Sequence, residues 1–320
     1  MGNISFLVIG TNTISDKFCL AAKECDATIE AIYSRKLDTG RAFSQKYGIK
    51  KVYTDLDEAL RDTDIDAVYV ASPTFLHCRH TVMALLAGKD VLCEKSIASS
   101  LSEFEEMISA AEMSGGVLLE AMRPAFDPAL EIIKANLSRI GTVRRASLEF
   151  CKYSTRYDNF KKGIIENAFD PTIKNSALSD IGVYPLWLAI ELFGEPREVK
   201  SEKKFLENGF LSMGTSILSY DSHFVSVSYS KITESAAPSF IEGEDGTLFI
   251  DKISEPKTLW IKFRDGMEIP LDYHPCENNM RYEIETFAKI CKERLDFSKY
   301  TATSKAVMKI ADMIHYHTAE

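Results

Sequence analysis

Short apolar runs alternate with amphipathic segments between residues 4 and 121. The apolar runs predict strands at Ile4–Ile9, Ala27–Tyr33, Val52–Tyr53, Asp66–Ala71, Asp90–Cys93 and Gly116–Ala121. Helical spacing predicts intervening helices at Asp16–Lys23, Asp38–Tyr47, Asp55–Arg61, Leu76–Leu86 and Ser102–Met113, the last begun by a capping box of Ser102 and Glu105. Strands that alternate with helices are typical of right-handed crossovers. This part of the chain is therefore predicted to form a doubly wound parallel sheet.

The hydrophobic pattern changes after residue 142. Short β-rich runs predict strands at Val143–Phe150, Leu211–Tyr220, Phe224–Tyr229, Phe240–Glu242, Thr247–Ile250 and Leu259–Phe263. Helices are predicted at Ile181–Phe193, Arg281–Arg294 and Ser304–Tyr316. Polar turns between strands favour antiparallel pairing. We expect an α/β fold with a dinucleotide-binding domain over residues 1–122. An α+β substrate-binding domain with an open, mainly antiparallel sheet is expected over 123–320, and packing of the C-terminal helices on the first domain is left open.

Composition narrows the class of partner. The chain has 38 basic and 47 acidic residues, so its net charge is −9. This charge opposes nonspecific binding to nucleic acids and anionic membranes, and no apolar run approaches the roughly 20 residues that span a bilayer. We therefore expect a cytoplasmic protein without a nucleic-acid or membrane partner. The seven cysteines are scattered without a C-x-x-C pair, which predicts neither a disulfide framework nor a metal site.

The loop after the first predicted strand is a candidate for cofactor binding. Dinucleotide-binding loops follow a G-x-G-x-x-G pattern, because glycines allow the backbone to approach a pyrophosphate. Here only the first glycine is present, and the candidate residues are Gly10, Thr11, Asn12, Thr13 and Ile14. We expect Asn12 to tolerate left-handed backbone angles in place of the second glycine. Taken alone, the segment is more typical of an ordinary strand-to-helix turn.

The end of the second predicted strand favours NADP over NAD. NAD-binding domains usually carry an acidic residue here that holds the adenosine ribose. This chain instead has Ser34, Arg35 and Lys36, a hydroxyl and two cations that suit a 2′-phosphate. A solvated pair of basic residues after a strand is the alternative interpretation. NAD(H) therefore stays open as a second cofactor.

Three motifs resemble those of a known family. Lys95 follows a predicted central strand, where a doubly wound sheet places its ligand. Glu94-Lys95-Ser96 resembles the family motif E-K-P, with serine in place of proline. The segment Ser72–His77 is similar to T-P-n-x-x-H, and Asp180–Tyr184 is similar to D-x-G-x-H/Y. In order and spacing, the set resembles the glucose-fructose oxidoreductase and inositol dehydrogenase (Gfo/Idh/MocA) family, and the tyrosine variant is similar to its dihydrodiol dehydrogenase branch.

The resemblance implies a Rossmann domain, dehydrogenase or reductase activity on sugars, polyols or cyclic diols, and a homo-oligomer (dimer or tetramer) formed through the C-terminal sheet. It implies that Lys95 is the catalytic lysine, that Asp180 orients the substrate and that Tyr184 is the acid or base. The positions that it assigns to the cofactor are Ser72, Pro73, Thr74, His77, Glu94 and Lys95. Before the resemblance is considered, Asp180 fits equally well as a carboxylate at a helix N-terminus.

The implied chemistry couples Tyr184 to Lys95. A hydroxyl that loses hydride must also lose a proton, and a free tyrosine with a pKa of about 10 is a poor base at neutrality. A nearby cation favours phenolate, so we expect the two residues to act as one unit. Arg123 is a further candidate for contact with nicotinamide or an acidic substrate, with a salt bridge at the rim of the site as the alternative.

The leading hypothesis is an NADP-dependent oxidoreductase that transfers hydride between nicotinamide and a sugar, polyol or cyclic diol. The competing hypothesis is a non-catalytic NAD(P)-binding sensor or regulatory protein, because the phosphate loop has lost glycines and Ser96 replaces the family's proline. A structural protein that binds no nucleotide ranks last.

Overall fold

The computed structural model describes residues 3–316 and divides into two compact units. The first unit comprises residues 3–123 and 277–302, and the second comprises residues 124–276 and 303–316. Each unit is built on one β-sheet. Within the described range, no helix is both long enough and apolar enough to cross a membrane.

A six-stranded parallel sheet forms the first unit. Its strands are β1 (Ile4–Ile9), β2 (Ala27–Tyr33), β3 (Lys51–Tyr53), β4 (Ala67–Val70), β5 (Asp90–Glu94) and β6 (Leu118–Ala121). The connecting helices are α1 (Thr13–Ala22), α2 (Leu37–Tyr47), α3 (Leu56–Leu60), α4 (His77–Leu86) and α5 (Leu101–Ser114). The spatial order β3-β2-β1-β4-β5-β6 confirms the predicted doubly wound sheet. The chain order reverses between β1 and β4, and sheets of this kind bind their ligands at that switch point.

The start of α5 differs from the prediction. The Ser100 side chain caps this helix by accepting a hydrogen bond from the Glu103 N–H at 3.3 Å, and Glu103 accepts one from the Ser99 N–H at 2.9 Å. The predicted capping box of Ser102 and Glu105 is therefore wrong by two residues. The segment contains two overlapping S-x-x-E patterns, and the pattern alone does not distinguish them.

An eight-stranded sheet forms the second unit. Its strands are β7 (Val143–Cys151), β8 (Glu198–Phe205), β9 (Leu211–Ser219), β10 (Phe224–Ser230), β11 (Ser239–Gly243), β12 (Gly246–Ile250), β13 (Leu259–Phe263) and β14 (Glu268–Pro270). They lie in the order β14-β13-β12-β11-β7-β10-β9-β8. Only the pair β7 and β10 is parallel, which confirms the predicted open, mainly antiparallel sheet.

Five further α-helices lie in the remaining residues that the structure describes. They are α6 (Ala129–Asn136), α7 (Arg156–Phe160), α8 (Val183–Phe193), α9 (Met280–Glu293) and α10 (Ser298–Tyr316). A helix was predicted over Ile181–Phe193. The helical segment in fact begins at Leu178, because a π-helical turn over Leu178–Gly182 leads directly into α8. Single π-helical turns are rare and occur often at functional sites.

The edge strand β8 was not predicted from the sequence. Its residues read E-V-K-S-E-K-K-F and alternate only between partly and fully exposed positions. An interior strand would show an apolar face, whereas edge strands commonly carry lysines that discourage further pairing. The pattern of β8 is therefore that of a protected edge, which resembles a polar loop when only hydrophobicity is considered.

Helix α9 belongs to the first unit although it lies far along the chain. Its Phe287 ring lies 5.7 Å from the Phe6 ring of β1, and Asn278, just before the helix, donates a hydrogen bond to the Lys17 carbonyl at 2.9 Å. After the helix, Arg294 donates to Asp90 of β5 at 2.9 Å. The helix is therefore held on the first unit by an aromatic contact and by hydrogen bonds just before and just after it.

Candidate active site

The turn after β1 requires a glycine for two reasons. Gly10 has a φ of +113°, a value that side chains rarely tolerate. A Cβ atom at this position would lie 2.6 Å from the Ala71 carbonyl oxygen just after β4. The single glycine that the sequence retains is thus the one that lets β1 and β4 lie together at the switch point.

Asn12 acts as a helix cap rather than as a substitute glycine. Its backbone is extended, with a φ of −96° and a ψ of 178°, so the expected use of left-handed angles is wrong. Its Oδ1 accepts hydrogen bonds from the Ile14 and Ser15 N–H groups at 3.0 Å, and its Nδ2 donates to the Ala71 carbonyl at 2.8 Å. The side chain therefore ties α1 to β4, and the helix begins three residues earlier than predicted.

The residues after β2 present cations to solvent. Ser34 is buried, and its hydroxyl donates a hydrogen bond to the Lys36 carbonyl at 3.1 Å. Arg35 and Lys36 are exposed directly after the strand. The buried hydroxyl closes the turn, and the two basic side chains remain accessible to an anion.

The segment after β4 carries a histidine that joins two loops. Ser72, Pro73 and Thr74 are half-buried, and His77 is buried at the start of α4. The His77 ring nitrogens lie 2.7 Å from the Ser72 carbonyl oxygen and 2.9 Å from the Ser96 carbonyl oxygen. Burial lowers the pKa of His77, and these two backbone contacts oppose that shift. The two ring nitrogens thus contact the backbone of two loops, one after β4 and one after β5.

Lys95 lies at the carboxyl end of β5 and is half-buried. The neighbouring Glu94 is buried and accepts hydrogen bonds from the Tyr69 hydroxyl at 2.5 Å and from the Lys95 N–H at 3.2 Å. Burial raises the pKa of Glu94, and the charge of Lys95 is the largest opposing influence. The peptide bond between Lys95 and Ser96 is cis.

Glu120 supports the same loop from the neighbouring strand. It is buried near the end of β6, and its Oε1 accepts a hydrogen bond from the Ile97 N–H at 3.0 Å. Glu120 was not among the site residues predicted from the sequence. Its place near the end of the strand next to β5 was the available signal, because parallel strands end at one edge of a sheet.

Arg123 lies in the interior of the first unit, with 9% of its surface exposed. Its Nη1 donates to Asn279 Oδ1 at 3.4 Å, just before α9. Four residues further on, Glu283 is 0% exposed, and among the described residues its two carboxyl oxygens have no hydrogen-bond partner. Burial raises the pKa of Glu283 well above its usual value, the nearby Glu94 raises it further, and Arg123 lowers it.

In the second unit, the π-helical turn presents Asp180. The side chain is 38% exposed, and its Oδ2 lies 2.8 Å from Nζ of Lys231. Lys231 follows β10 directly and is buried, with 4% of its surface exposed. Sequence reasoning missed this lysine. A charged residue at the end of an apolar, alternating strand was the only signal for it.

Tyr184 is the second residue of α8, and it is buried. Its ring lies 5.6 Å from the Phe150 ring of β7. Gly182 of the same motif packs on Tyr229 of β10, since a Cβ atom at position 182 would lie 2.7 Å from that ring. The glycine of the D-x-G-x-Y motif is thus required for close packing of the π-helical turn on the sheet.

By its architecture, the first unit is a dinucleotide-binding domain of the Rossmann type. The glycine turn lies at the switch point, a helix N-terminus follows it, and exposed cations end the second strand. Lys95 directly follows the fifth strand at the same edge of the sheet. This combination is that of an oxidoreductase domain for a nicotinamide cofactor.

Comparison with known proteins agrees with this class. Residues 4–121 match a family described as an oxidoreductase family with an NAD-binding Rossmann fold, Gfo/Idh/MocA. The chain is 43% identical over 291 residues to scyllo-inositol 2-dehydrogenase (NADP(+)) IolU of Bacillus subtilis, covering 91% of this chain and 89% of the relative. It is 28% identical over 237 residues to trans-1,2-dihydrobenzene-1,2-diol dehydrogenase of Mus musculus, covering 72% and 68%.

A solved structure shares the fold over nearly the whole chain. It is KijD10, a 3-ketoreductase from Actinomadura kijaniata in complex with NADP, with a TM-score of 0.88, 21% identity and coverage of 98% and 97%. The chain belongs to the Gfo/Idh/MocA family of oxidoreductases. The family resemblance read from the motifs is therefore confirmed.

The unpartnered carboxyl of Glu283 predicts a specific dependence of stability on pH. The folded chain holds this proton to a higher pH than the unfolded chain, in which a glutamate has a pKa of about 4.3. Below that pKa the group is protonated in both states and contributes no pH dependence to stability. As pH rises from there toward the folded pKa, ionisation favours the unfolded state and stability is lost.

Glu283→Gln removes the ionisation and keeps the size of the side chain. We expect its Tm to exceed that of the wild type at pH 8, and the difference to shrink toward pH 4. Thermal unfolding at several pH values measures this. Glu293→Gln, an exposed position on the same helix, is the matched control. A Tm difference for Glu283→Gln that does not change with pH would contradict the assignment.

Proposed function

We propose that the chain is an NADP-dependent dehydrogenase or reductase that interconverts an alcohol and a carbonyl group on a polyol. The observation that carries the proposal is the half-buried Lys95 at the carboxyl end of β5, in a segment whose backbone N–H groups are bound by the buried Glu94 and Glu120. Among sugars, polyols and cyclic diols, we favour a cyclic polyol of the inositol class. The 43% identity to an enzyme named scyllo-inositol 2-dehydrogenase supports that choice.

The residues of the first unit suit a phosphorylated dinucleotide. Asn12 and Thr13 are exposed at the N-terminus of α1, where the helix dipole favours an anion. Arg35 and Lys36 are exposed after β2 and offer two cations to a 2′-phosphate. NADP, when bound, supplies a hydride donor or acceptor at its nicotinamide. We assign the segment Ser72–Thr74 to the cofactor loop, and His77 to the support of that loop.

Three side chains carry the proposed reaction. The Lys95 ammonium stabilises the negative charge that develops on the substrate oxygen as hydride leaves, and such electrostatic support is usually the largest protein contribution. Tyr184 takes or returns the proton of that oxygen, and Asp180 accepts a hydrogen bond from a substrate hydroxyl. In this proposal Arg123 balances the charge of the buried acids and does not bind the substrate.

Loss of the Lys95 charge is expected to abolish most turnover. Lys95→Ala should lower kcat by at least about 100-fold, because the developing charge loses its cation. Turnover is measured from nicotinamide absorbance with scyllo-inositol and NADP+, and NADPH affinity from nicotinamide fluorescence. The affinity should change little. Lys50→Ala, an exposed lysine of the same unit, should leave both unchanged. Turnover of Lys95→Ala near the wild-type rate would overturn the assignment.

Cofactor choice is expected to depend on the two cations after β2. The double variant Arg35→Ala, Lys36→Ala should weaken NADPH binding by about 10- to 100-fold, since hydrogen bonds to charged groups contribute about 1.5–3 kcal/mol. NADH affinity should remain close to that of the wild type. Titration of both nucleotides measures the ratio, with Lys50→Ala again as the control. Equal losses for NADPH and NADH would show that these residues do not recognise the 2′-phosphate.

We also propose that copies of the chain associate through the sheet of the second unit. Phe240, Phe249 and Trp260 occupy neighbouring register positions on β11, β12 and β13. All three are only half-buried, on the face opposite the buried Leu248. The Phe249 and Trp260 rings are stacked with centroids 4.9 Å apart. Such an aromatic stripe suits the centre of an interface.

A charge on this stripe is expected to dissociate the oligomer. Trp260→Glu should shift the molar mass in solution toward a single chain of 35.9 kDa, because a buried unpaired charge is costly. Light scattering after size exclusion measures the mass. Met113→Glu, a 79% exposed position on α5 of the first unit, is the control. If the wild type itself is monomeric, or the variant keeps the wild-type mass, the proposed interface is wrong.

A further inference from the structure

Lys231 is buried in a way that packing alone does not explain. Its ammonium donates a hydrogen bond to the Ala168 carbonyl at 2.7 Å. It also lies 5.0 Å from the Phe169 ring centroid and 5.3 Å from that of Phe210. Both rings are 0% exposed. A charged group in such surroundings is retained at a desolvation cost, and apolar residues often replace buried ion pairs without loss of stability.

The exposure of the two partners is unequal. The Lys231 side chain is 5% exposed, whereas the Asp180 side chain that it contacts at 2.8 Å is 38% exposed. A buried cation is therefore paired with a carboxylate that is partly exposed to solvent. An ammonium at this distance favours the ionised carboxylate, and in that form both oxygens are hydrogen-bond acceptors and neither is a donor.

The backbone fixes Lys231 from both sides. Its N–H donates to the Ser212 carbonyl at 3.0 Å, and its carbonyl accepts from the Ser154 N–H at 2.9 Å. Two residues earlier on the same face of the strand, Tyr229 packs against the position of Gly182. Tyr229 thus packs against Gly182, and Lys231, which directly follows β10, contacts Asp180 of the same π-helical turn. This double contact sets the position of the turn relative to the sheet.

We propose that Lys231 is a positioning residue that holds the Asp180 carboxylate in its ionised form and fixes its orientation for a substrate hydroxyl. The proposal rests on the proposed function for the role of Asp180. It assigns to Lys231 no contact with the substrate. Phe169 and Phe210 shield the ammonium from water, which strengthens its interaction with the carboxylate.

The test compares Lys231→Gln, Asp180→Asn and the double variant. Glutamine keeps a donor for the Ala168 carbonyl and removes the charge. With scyllo-inositol and NADP+, each single variant should lower kcat/KM by about tenfold or more, since misplaced contacts are costly in rate. The double variant should be no worse than the poorer single variant. Lys231→Arg, which keeps the charge, should recover activity relative to Lys231→Gln. NADPH affinity should not change.

Lys203→Gln is the matched control for a purely structural effect. Lys203 also donates to backbone carbonyls in the second unit, those of Ile314 and His315, at 2.7 and 2.9 Å. Its replacement should lower Tm without lowering kcat/KM of the folded enzyme. If Lys231→Gln behaves in the same way, or if arginine gives no recovery, Lys231 is structural and the proposal is overturned.

A second readout separates this proposal from the proposed function. The Tm values of the four proteins form a double-mutant cycle that needs no substrate. We expect the Tm loss in Lys231→Gln to be smaller when Asp180→Asn is also present, because the carboxylate is no longer left without its cation. Additive Tm changes would overturn the pairing. If the wild type oxidises no polyol while the Tm changes are non-additive, the proposed function fails and the pairing stands.

Discussion

The support of one loop is the constraint on which the candidate chemistry depends. His77 at the start of α4 contacts the Ser96 carbonyl, and Glu120 of β6 binds the Ile97 N–H. Both can reach the loop because adjacent parallel strands end at one edge of the sheet. Misplacement of a reacting group by about 1 Å can cost about 100-fold in rate. These contacts therefore fix the backbone that follows Lys95, and with it the point from which the lysine side chain extends.

Four ionisable groups of the first unit influence one another electrostatically. Glu94 and Glu283 repel each other, whereas Lys95 and Arg123 both favour the ionised form of Glu94. If both acids were ionised, these four groups would sum to zero. Burial raises the pKa of both acids, so a proton held by either of them leaves the group with a net positive charge. That surplus favours an anion, either a nucleotide phosphate or a developing alkoxide, at the edge of the sheet.

Much of the fold can be predicted from the spacing of apolar residues along the chain alone. The strands β1, β2 and β13 have their predicted bounds, because continuous or alternating apolar runs end there at turn residues. The prediction failed where side-chain bonds decide a boundary. Asn12 caps α1 and Ser100 caps α5, and near Ser100 a second S-x-x-E pattern fits equally well. The charged edge strand β8 was missed, since its stability comes from pairing rather than from an apolar face.

A site residue could be predicted from the sequence where its place at the end of a strand also determines its location in the fold. Lys95 is such a residue, because the carboxyl ends of Rossmann strands converge. Lys231 and Glu283 are not. Asp180, which Lys231 contacts, and Glu94, whose charge acts on Glu283, lie on other elements, and no local pattern specifies either pairing. Yet Glu120 and Lys231 share a signal, an ionisable residue near the carboxyl end of a buried strand. Such a group must find a partner or lose its charge, so a charged residue there indicates a neighbouring loop or turn that needs support.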